Sequence, residues 1–218
     1  MKIENYGAPL AQQFDFPINC KAMLLRDKLK NYRLLLASKS PRRRELLAGC
    51  GLVFEITEGR DAEEVFPAEM PLLEVAEYLS NIKSEAYADT LVAGDILITA
   101  DTVVIAAGEI LGKPQDRDDA IRMLGLLSGA RHEVVTGVTL RNTEKSVSFS
   151  CRSSVTFREI SHEEIEHYID TYRPYDKAGA YGIQEWIGYV AISGIEGSFY
   201  NVMGLPVQRL YVELENFV

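Results

Sequence analysis

Short stretches of apolar and β-branched residues recur along the chain and predict β-strands. The clearest is residues 96–105, an apolar run interrupted only by polar residues at its centre. Runs of this kind, bounded by glycine, proline or charged residues, are typical of strands buried in a sheet. The remaining predicted strands are residues 32–37, 53–57, a short partner around 110–111, 133–140, 147–157, 190–195 and 200–203.

Apolar residues at helical spacing predict amphipathic helices between these strands. In residues 71–88 they recur every three or four positions. A Ser-x-x-Glu capping box at Ser161 opens another helix. The predicted helices are a segment starting at residue 41, then 71–88, 116–127, a segment starting at 161, and 206–217. Because strands and helices do not alternate strictly, we predict an α/β fold with a mixed, twisted sheet and flanking helices, in two lobes around a cleft.

The domain organisation follows from length and periodicity. A chain of 218 residues can form one larger domain or two small ones. The stretch before about residue 30 is irregular and has little amphipathic period. We predict an N-terminal extension, to which we assign no function, over residues 1–30, and a single two-lobed domain over residues 31–218.

Composition and charge narrow the class of protein. No apolar run approaches the roughly 20 residues of a membrane span, and residues 1–19 lack the apolar segment of a signal peptide. Cys20, Cys50 and Cys151 share no metal-ligand spacing, which favours reduced thiols and a cytoplasmic location. The net charge of −9 argues against a nucleic-acid or anionic-membrane surface. An acidic protein that binds a polyanion must gather its basic groups in one place or recruit a metal ion.

The segment Leu-Ala-Ser-Lys-Ser-Pro-Arg-Arg-Arg at residues 36–44 carries such basic groups at the start of a predicted helix. Ser40 suits the N-cap and Pro41 the first helical position. Arginines are unfavourable in a first turn, where the helix dipole favours anions. A phosphate-binding helix start therefore explains them better than a surface helix does. The chain holds no glycine-rich loop that ends in Gly-Lys-Ser/Thr.

Other polar residues sit in unusual surroundings. Asp101 interrupts an apolar strand, so it is either hydrogen-bonded and structural or opens into a site as a metal ligand or base. Lys113 lies in a rigid Gly-Lys-Pro turn, and Lys83 lies in the middle of a helix; either can simply reach water. Residues 175–184 combine small residues with Asp, Lys, Tyr and Gln, which leans towards a binding loop over an ordinary glycine-rich connection.

The acidic loop and the histidines complete the candidate chemistry. Glu63 and Glu64 are solvated surface groups unless their loop folds over Asp101, in which case carboxylates from both places can hold Mg²⁺ between phosphate oxygens. His132, His162 and His167 show neither a nucleophile partner nor metal spacing. Covalent catalysis therefore has little support.

Six blocks of sequence, in this order, resemble the Maf family of nucleoside triphosphate pyrophosphatases. The resemblance runs from about Arg33 to the C-terminus and rests on LASKSPRRRELL, ADTVV, LGKP, LSGARHEVVTGV, DKAGAYGIQ and GSFYNVMGLP. It implies a two-lobed fold of the inosine-triphosphate-pyrophosphatase (Maf/Ham1-like) type, often dimeric. It also implies a divalent metal and hydrolysis between the α and β phosphates.

The resemblance also implies roles for individual residues. Asp101 corresponds to the proton acceptor, and Glu64 to a loop carboxylate that shares the metal with Asp101. The residues that the resemblance places at the phosphates are Ser38, Ser40, Arg42 and Arg43. The other basic site residues are Lys83 and Lys113. The positions that tune substrate choice are Arg42, Thr102 and Gln184. The AYGIQ block resembles the branch that prefers dTTP and UTP.

Two departures bear on these assignments. Consecutive glutamates at 63 and 64 leave the position of the loop carboxylate open by one residue. Glu185-Trp186-Ile187 follows Gln184 where many relatives are glycine-rich, and a bulky indole there can reshape the base pocket.

The hypothesis is a hydrolase that converts dTTP or UTP, with CTP or modified pyrimidine nucleotides as further candidates, to the monophosphate and pyrophosphate. It uses Mg²⁺ or Mn²⁺ and serves as a house-cleaning enzyme of the nucleotide pool, as a monomer or a homodimer. The alternative is a nucleotide-binding regulator of cell division or septum formation without turnover. A kinase or nucleotidyl transferase is a third reading, for which no acceptor site is visible in the sequence.

Overall fold

The structure is a computed structural model that describes residues 23–57, 59–60, 62 and 64–218. Most of the predicted N-terminal extension and the candidate carboxylate Glu63 lie outside the described residues. Cys50 and Cys151 are free thiols, and Cys20 lies outside the described part. No helix among the described residues is long and apolar enough to cross a bilayer.

Seven strands in the described part form one mixed sheet. They are β1 Arg33–Leu36, β2 Glu55–Ile56, β3 Asp95–Ala106, β4 Glu109–Leu111, β5 Arg131–Arg141, β6 Ser146–Phe157 and β7 Ile192–Glu196. The order is β2-β1-β3-β5-β6-β7, and β4 also pairs with β3. The β1 pairings with β2 and β3 are parallel, and the others are antiparallel. This confirms the predicted mixed α/β sheet.

The long strand β3 explains where the sheet opens. One edge of β3 pairs with β5 along residues 97–105. The other edge pairs first with β1, up to Ile98, and then with β4, from Val104 onwards. Residues 99–103 therefore have no strand beside them on this second edge. Asp101 and Thr102 lie in that interval, so the gap between β1 and β4 exposes the centre of β3.

Helices flank the sheet. They are α1 Leu25–Lys28, α2 Pro41–Gly49, α3 Val75–Glu85, α4 Arg117–Leu127, α5 His162–Tyr172, α6 Trp186–Ala191, α7 Phe199–Met203 and α8 Val207–Phe217. Ser40 caps α2 and Asp116 caps α4, and Ser161 with Glu164 forms the predicted capping box of α5. The helix predicted over 71–88 is shorter in the structure, because turns flank α3 on both sides.

The hydrophobic core divides in two on one face of β3. Ile96, Ile98 and Ala100 belong to a cluster with α1, α2 and α8. Val104 and Ala106 belong to a second cluster with α4, α5 and α6. Thr102 lies between them, because alternate residues of a strand share a face. Two cores separated by a polar position agree with the two lobes that the sequence predicts.

On the opposite face of the sheet, α3 approaches β5 closely. A Cβ atom at Gly137 would lie 2.2 Å from the carbonyl oxygen of Ala76, so only glycine fits at this crossing. Further along α3, Thr99 donates a hydrogen bond to the Ser80 carbonyl (2.7 Å), and Arg141 donates one to Ser84 Oγ (2.9 Å). These contacts fix the C-terminal half of α3 against β3 and β5.

The strand predicted over residues 200–203 is wrong, and the strand predicted over residues 190–195 begins two residues later than expected. Residues 200–203 lie in α7, where Ser198 Oγ accepts a hydrogen bond from Asn201 N and Gly204 ends the helix at a φ of 113°. Residues 190–191 belong to α6, and β7 begins only at Ile192. Short apolar runs do not distinguish a strand from a single helical turn by periodicity alone. The serine and glycine at the two ends were the available signal for a helix.

Candidate active site

One cleft of about 710 Å³ opens at the gap in β3. Its walls come from the start of α2, the centre of β3, α3, the turn after β4 and the loop before α6. Every predicted site residue lines this cleft, namely Ser38, Ser40, Arg42, Arg43, Glu64, Lys83, Asp101, Thr102, Lys113 and Gln184. Residues that are up to 146 positions apart in the chain thus meet around one volume of solvent.

The start of α2 has the geometry of an anion site. Ser40 Oγ accepts a hydrogen bond from Arg43 N (3.4 Å), and Pro41 occupies the first turn. Ser38 Oγ accepts one from Ser40 N (3.2 Å), which holds the loop between β1 and α2. The first turn has no acidic residue, so the positive end of the helix dipole faces the cleft uncompensated by its own helix.

Arg43 is directed into the fold. Its Nε donates to the Gly204 carbonyl (2.7 Å), Nη1 to the Ala100 carbonyl (2.8 Å) and Nη2 to Thr102 Oγ1 (3.0 Å). Burial lowers the pKa of the guanidinium, and the charge of Asp101 opposes that shift. These bonds use one hydrogen on each nitrogen and leave one on each Nη. Arg43 therefore ties α2, β3 and the end of α7 together.

Arg42 faces the opposite rim of the cleft. Its Nη1 lies 2.8 Å from Asp176 Oδ2, in the loop that precedes α6. Burial alone would raise the pKa of Asp176, but hydrogen bonds from Lys177 and Arg42 hold it down at about 2. The two neighbouring arginines of α2 thus differ: Arg43 is hydrogen-bonded inside the fold, and Arg42 is paired with Asp176 across the cleft.

Asp101, Lys83 and Glu64 form a charged cluster on the α3 side. Lys83 of α3 donates a hydrogen bond to Asp101 Oδ1, and its Nζ lies 3.2 Å from Glu64 Oε2. Asp101 Oδ2 accepts no hydrogen bond from the described residues. The loop that carries Glu64 therefore does approach Asp101. This is the arrangement in which the Glu64 and Asp101 carboxylates can hold a metal ion together. Glu63, the other candidate for that position, lies outside the described residues.

Thr102 belongs to a polar layer between the two cores. Its hydroxyl lies 3.0 Å from Thr136 Oγ1, and Thr136 donates to the Asn201 carbonyl (3.0 Å). The Asn201 amide in turn donates to the Val134 carbonyl (3.1 Å) and to Ser153 Oγ (3.0 Å). Thr136 and Asn201 are buried, and their hydrogen bonds fix the position of the partly buried Thr102 at the cleft floor.

The loop before α6 carries Gln184 and packs on β3. Gly179 N donates to the Gly112 carbonyl (3.0 Å), and a Cβ at Gly179 would lie 3.0 Å from the Val104 methyl groups. Ala180 has a φ of 58°, a left-handed conformation that costs about 1 kcal/mol for a residue with a Cβ. Gln184 Oε1 is buried and accepts no hydrogen bond from the described residues. Its acceptor capacity is therefore not used within the described part of the fold.

Sequence reasoning did not assign roles to Asp176, Lys177 and Glu185. Lys177 is only 7% exposed, and its Nζ lies 2.8 Å from Asp176 Oδ1 and 3.0 Å from Glu185 Oε1. The available signal for a buried lysine was its position among glycines and alanines. An exposed lysine usually packs its stem along apolar side chains, and this stretch offers few of them.

Lys113 projects from the turn between β4 and α4. It is exposed and forms no ion pair within the part of the chain that the structure describes. Lys39, next to Ser38, has the same character and also lines the cleft. These cations are available to a ligand, whereas Lys83 and Lys177 already contact carboxylates.

The cleft offers few carboxylates to a divalent metal ion. Among the described residues, no group of three or more His, Cys, Asp or Glu side chains could hold an ion by itself. Asp101 and Glu64 nevertheless converge on the same ammonium group, so one cation can contact both. Mg²⁺ commonly takes one or two carboxylates and completes its shell with water and substrate phosphates. The residues fit such an ion and do not form an all-protein cage.

Comparisons with known proteins address the family. A family model described as Maf-like protein matches residues 33–217. A dTTP/UTP pyrophosphatase of Porphyromonas gingivalis is 55% identical over 193 residues, which cover 88% of this chain and 97% of that protein. A dTTP/UTP pyrophosphatase of Bacteroides thetaiotaomicron is 50% identical over 187 residues, covering 86% of this chain and 97% of that protein.

A solved structure that aligns with this chain is a HAM1 protein from Coxiella burnetii. It has a TM-score of 0.42 and 14% sequence identity, and the match covers 85% of this chain and 99% of that one. The family model covers most of the chain, and both relatives are at least 50% identical to it over most of their length. The chain therefore belongs to the Maf family.

Proposed function

We propose that this protein is a nucleoside triphosphate pyrophosphatase that converts dTTP or UTP to the monophosphate and pyrophosphate. The observation that carries the proposal is the placement of the arginine-bearing start of α2 and of Asp101 around one cleft. The names of relatives that are 50–55% identical support the same reaction.

The triphosphate chain binds between the start of α2 and the turn that carries Lys113. The backbone N–H of Arg42 and the positive end of the α2 dipole favour phosphate oxygens there. Arg42, Lys39 and Lys113 supply positive charge around the same volume. This concentration explains how a chain with a net charge of −9 can bind a polyanion. Arg43 contributes mainly by holding Ala100 and Thr102 in place.

Asp101 accepts the proton of the attacking water. Its Oδ1 is held by Lys83, which leaves Oδ2 to take a hydrogen bond from water in the cleft. Attack at the α-phosphorus forms a new P–O bond to the water oxygen and breaks the bond to the bridging oxygen, so pyrophosphate leaves. A divalent ion, Mg²⁺ or Mn²⁺, held by Asp101 and Glu64, would neutralise phosphate charge. Because phosphoryl transfer depends on positioning and electrostatics, no covalent nucleophile is needed.

Gln184 selects the nucleobase. Thymine and uracil present an N–H donor beside a carbonyl acceptor, and an amide side chain offers the complementary acceptor and donor. The buried, unpartnered Oε1 of Gln184 is suited to that N–H. Cytosine presents the opposite pattern at these two positions, so it is discriminated against by unpaired polar groups. The homodimer, the cytoplasmic location and the house-cleaning purpose stay predictions.

A nucleotide panel with Mg²⁺ or Mn²⁺ tests the proposal, with pyrophosphate and orthophosphate measured separately. We expect pyrophosphate and monophosphate from dTTP and UTP. Asp101→Asn is expected to lower turnover by about 10²–10⁴-fold, the usual cost of losing a general base. Asp118→Asn, an exposed residue of α4, is the matched control and is expected to keep wild-type turnover.

Three results would contradict the proposal. Turnover of Asp101→Asn within about threefold of wild type would remove Asp101 from the chemistry. Release of orthophosphate would place the cleavage at a different bond. Tight dTTP binding in calorimetry, with the nucleotide intact after incubation with metal, would instead support the nucleotide-binding regulator.

A further inference from the structure

The buried ammonium group of Lys177 connects two carboxylates beside the base-binding loop. Its Nζ contacts Asp176 Oδ1 at 2.8 Å and Glu185 Oε1 at 3.0 Å. A lysine that is 7% exposed is stable only when such partners compensate the loss of hydration. The Lys177 ammonium group is therefore held in one place, and it in turn holds both carboxylates.

On one side, this network continues to Arg42. The two oxygens of Asp176 are divided between the two cations, Oδ1 to Lys177 and Oδ2 to Arg42, each at 2.8 Å. Because Asp176 itself is 57% exposed, it depends on Lys177 for a fixed orientation. Lys177 thus influences where the Arg42 guanidinium lies over the cleft.

On the other side, the network continues to the turn that presents Gln184. Glu185 follows Gln184 directly, accepts a hydrogen bond from the Tyr168 hydroxyl, and closes the turn through its N–H to the Gly182 carbonyl (3.0 Å). The same Tyr168 oxygen accepts from Gly182 N (3.0 Å). A Cβ at Gly182 would lie 2.9 Å from Gln184 Nε2 and 3.0 Å from Lys177 Cε. The lysine stem and the glutamine amide therefore pack on the same glycine.

We infer that Lys177 is a positioning residue for nucleobase selection. It acts by holding Arg42 and the Gln184 amide in one fixed arrangement. This inference rests on the proposed function. An amide distinguishes thymine from cytosine only if its oxygen and nitrogen keep their places, because a freely rotating amide can match either pattern. Lys177 takes no part in proton transfer, and it acts on the phosphates only through Arg42.

The test compares kcat/KM for dTTP and for dCTP in Lys177→Met, which keeps the length of the side chain and removes its charge. We expect the ratio of dTTP to dCTP to fall by about tenfold or more, since small displacements of a positioned group have effects of up to about 10²-fold. Most of the loss should appear as a raised KM for dTTP, with kcat lowered less. Lys177→Arg should restore part of the ratio, because it keeps the charge.

The matched control is Lys30→Met, at an exposed lysine paired with Asp27 far from the cleft, and its ratio should equal that of wild type. If Lys177→Met does not fold, Glu185→Gln decides the question, because it removes one partner charge without changing side-chain size. In a folded variant, a ratio within about twofold of wild type overturns the inference. If wild-type protein releases no pyrophosphate from any nucleotide, the proposed function fails first and the inference fails with it.

Discussion

The two faces of β3 at residues 101 and 102 use polar side chains in opposite ways. Thr102 faces the layer between the two cores, where its hydroxyl contacts Arg43 and Thr136. Asp101 faces α3, where only one of its oxygens is held by Lys83 and the other has no partner among the described residues. The first face satisfies its polar groups inside the fold, and the second leaves hydrogen-bonding capacity for a ligand.

This difference indicates what each region contributes. A buried polar group that loses its partner costs folding free energy, whereas a group that faces solvent can lose its partner to water at little cost. We therefore expect substitutions in the internal layer to change mainly stability. Substitutions at the cleft should change mainly kinetics.

Arg43→Met should be the most destabilising change. It leaves the carbonyls of Ala100 and Gly204 and the Thr102 hydroxyl without their donors, at a cost of about 3–5 kcal/mol in the free energy of unfolding. Urea denaturation measures this. Arg42→Met is the matched control, because its pair with exposed Asp176 is worth about 1 kcal/mol or less, so its stability should change little while KM rises. Equal destabilisation by both changes would contradict the comparison.

His132 should make stability depend on pH. It is buried against Tyr181, with Nε2 2.8 Å from the hydroxyl, and burial lowers its pKa to about 4. Between that value and the ordinary pKa near 6.5, the unfolded state binds the proton and the folded state does not. Stability therefore falls as pH decreases through this window, by roughly 3 kcal/mol in total, and the contribution is constant above it.

The measurement is the free energy of unfolding at pH 7 and pH 4.5 for wild type and His132→Gln. The variant should lose less stability on acidification than wild type does. His162→Gln, at an exposed histidine of α5, should behave like wild type. An identical pH dependence in His132→Gln and wild type would show that this histidine is not the group responsible.

Ser40→Ala should give the smallest change in stability and a separate change in binding. The hydroxyl caps α2 by accepting from Arg43 N, and loss of an N-cap costs about 1 kcal/mol. Because this helix start also faces the cleft, KM for dTTP should rise. Ser161→Ala removes the cap of α5, which lies away from the cleft, and should cost similar stability without a change in KM. A raised KM in both variants would assign the effect to general destabilisation.

The sequence alone determined the local features of the molecule. The N-caps at Ser40 and Ser161 and the long strand around Asp101 are confirmed, because capping and periodicity depend on residues a few positions apart. The motif resemblance also named ten residues that do line one cleft. Local signals failed where they were ambiguous, as in α7, whose apolar residues resemble a strand.

Only the tertiary structure decided which polar groups meet. Arg43 points inward because its acceptors, Ala100 and Gly204, lie 57 and 161 residues away in the chain. The pairing of Lys83 with Asp101 depends on α3 packing closely over Gly137. The burial of Lys177 depends on two carboxylates and on the packing of its loop against β3. Direction and burial of a side chain are properties of the packed fold, so residue type and spacing along the chain do not determine them.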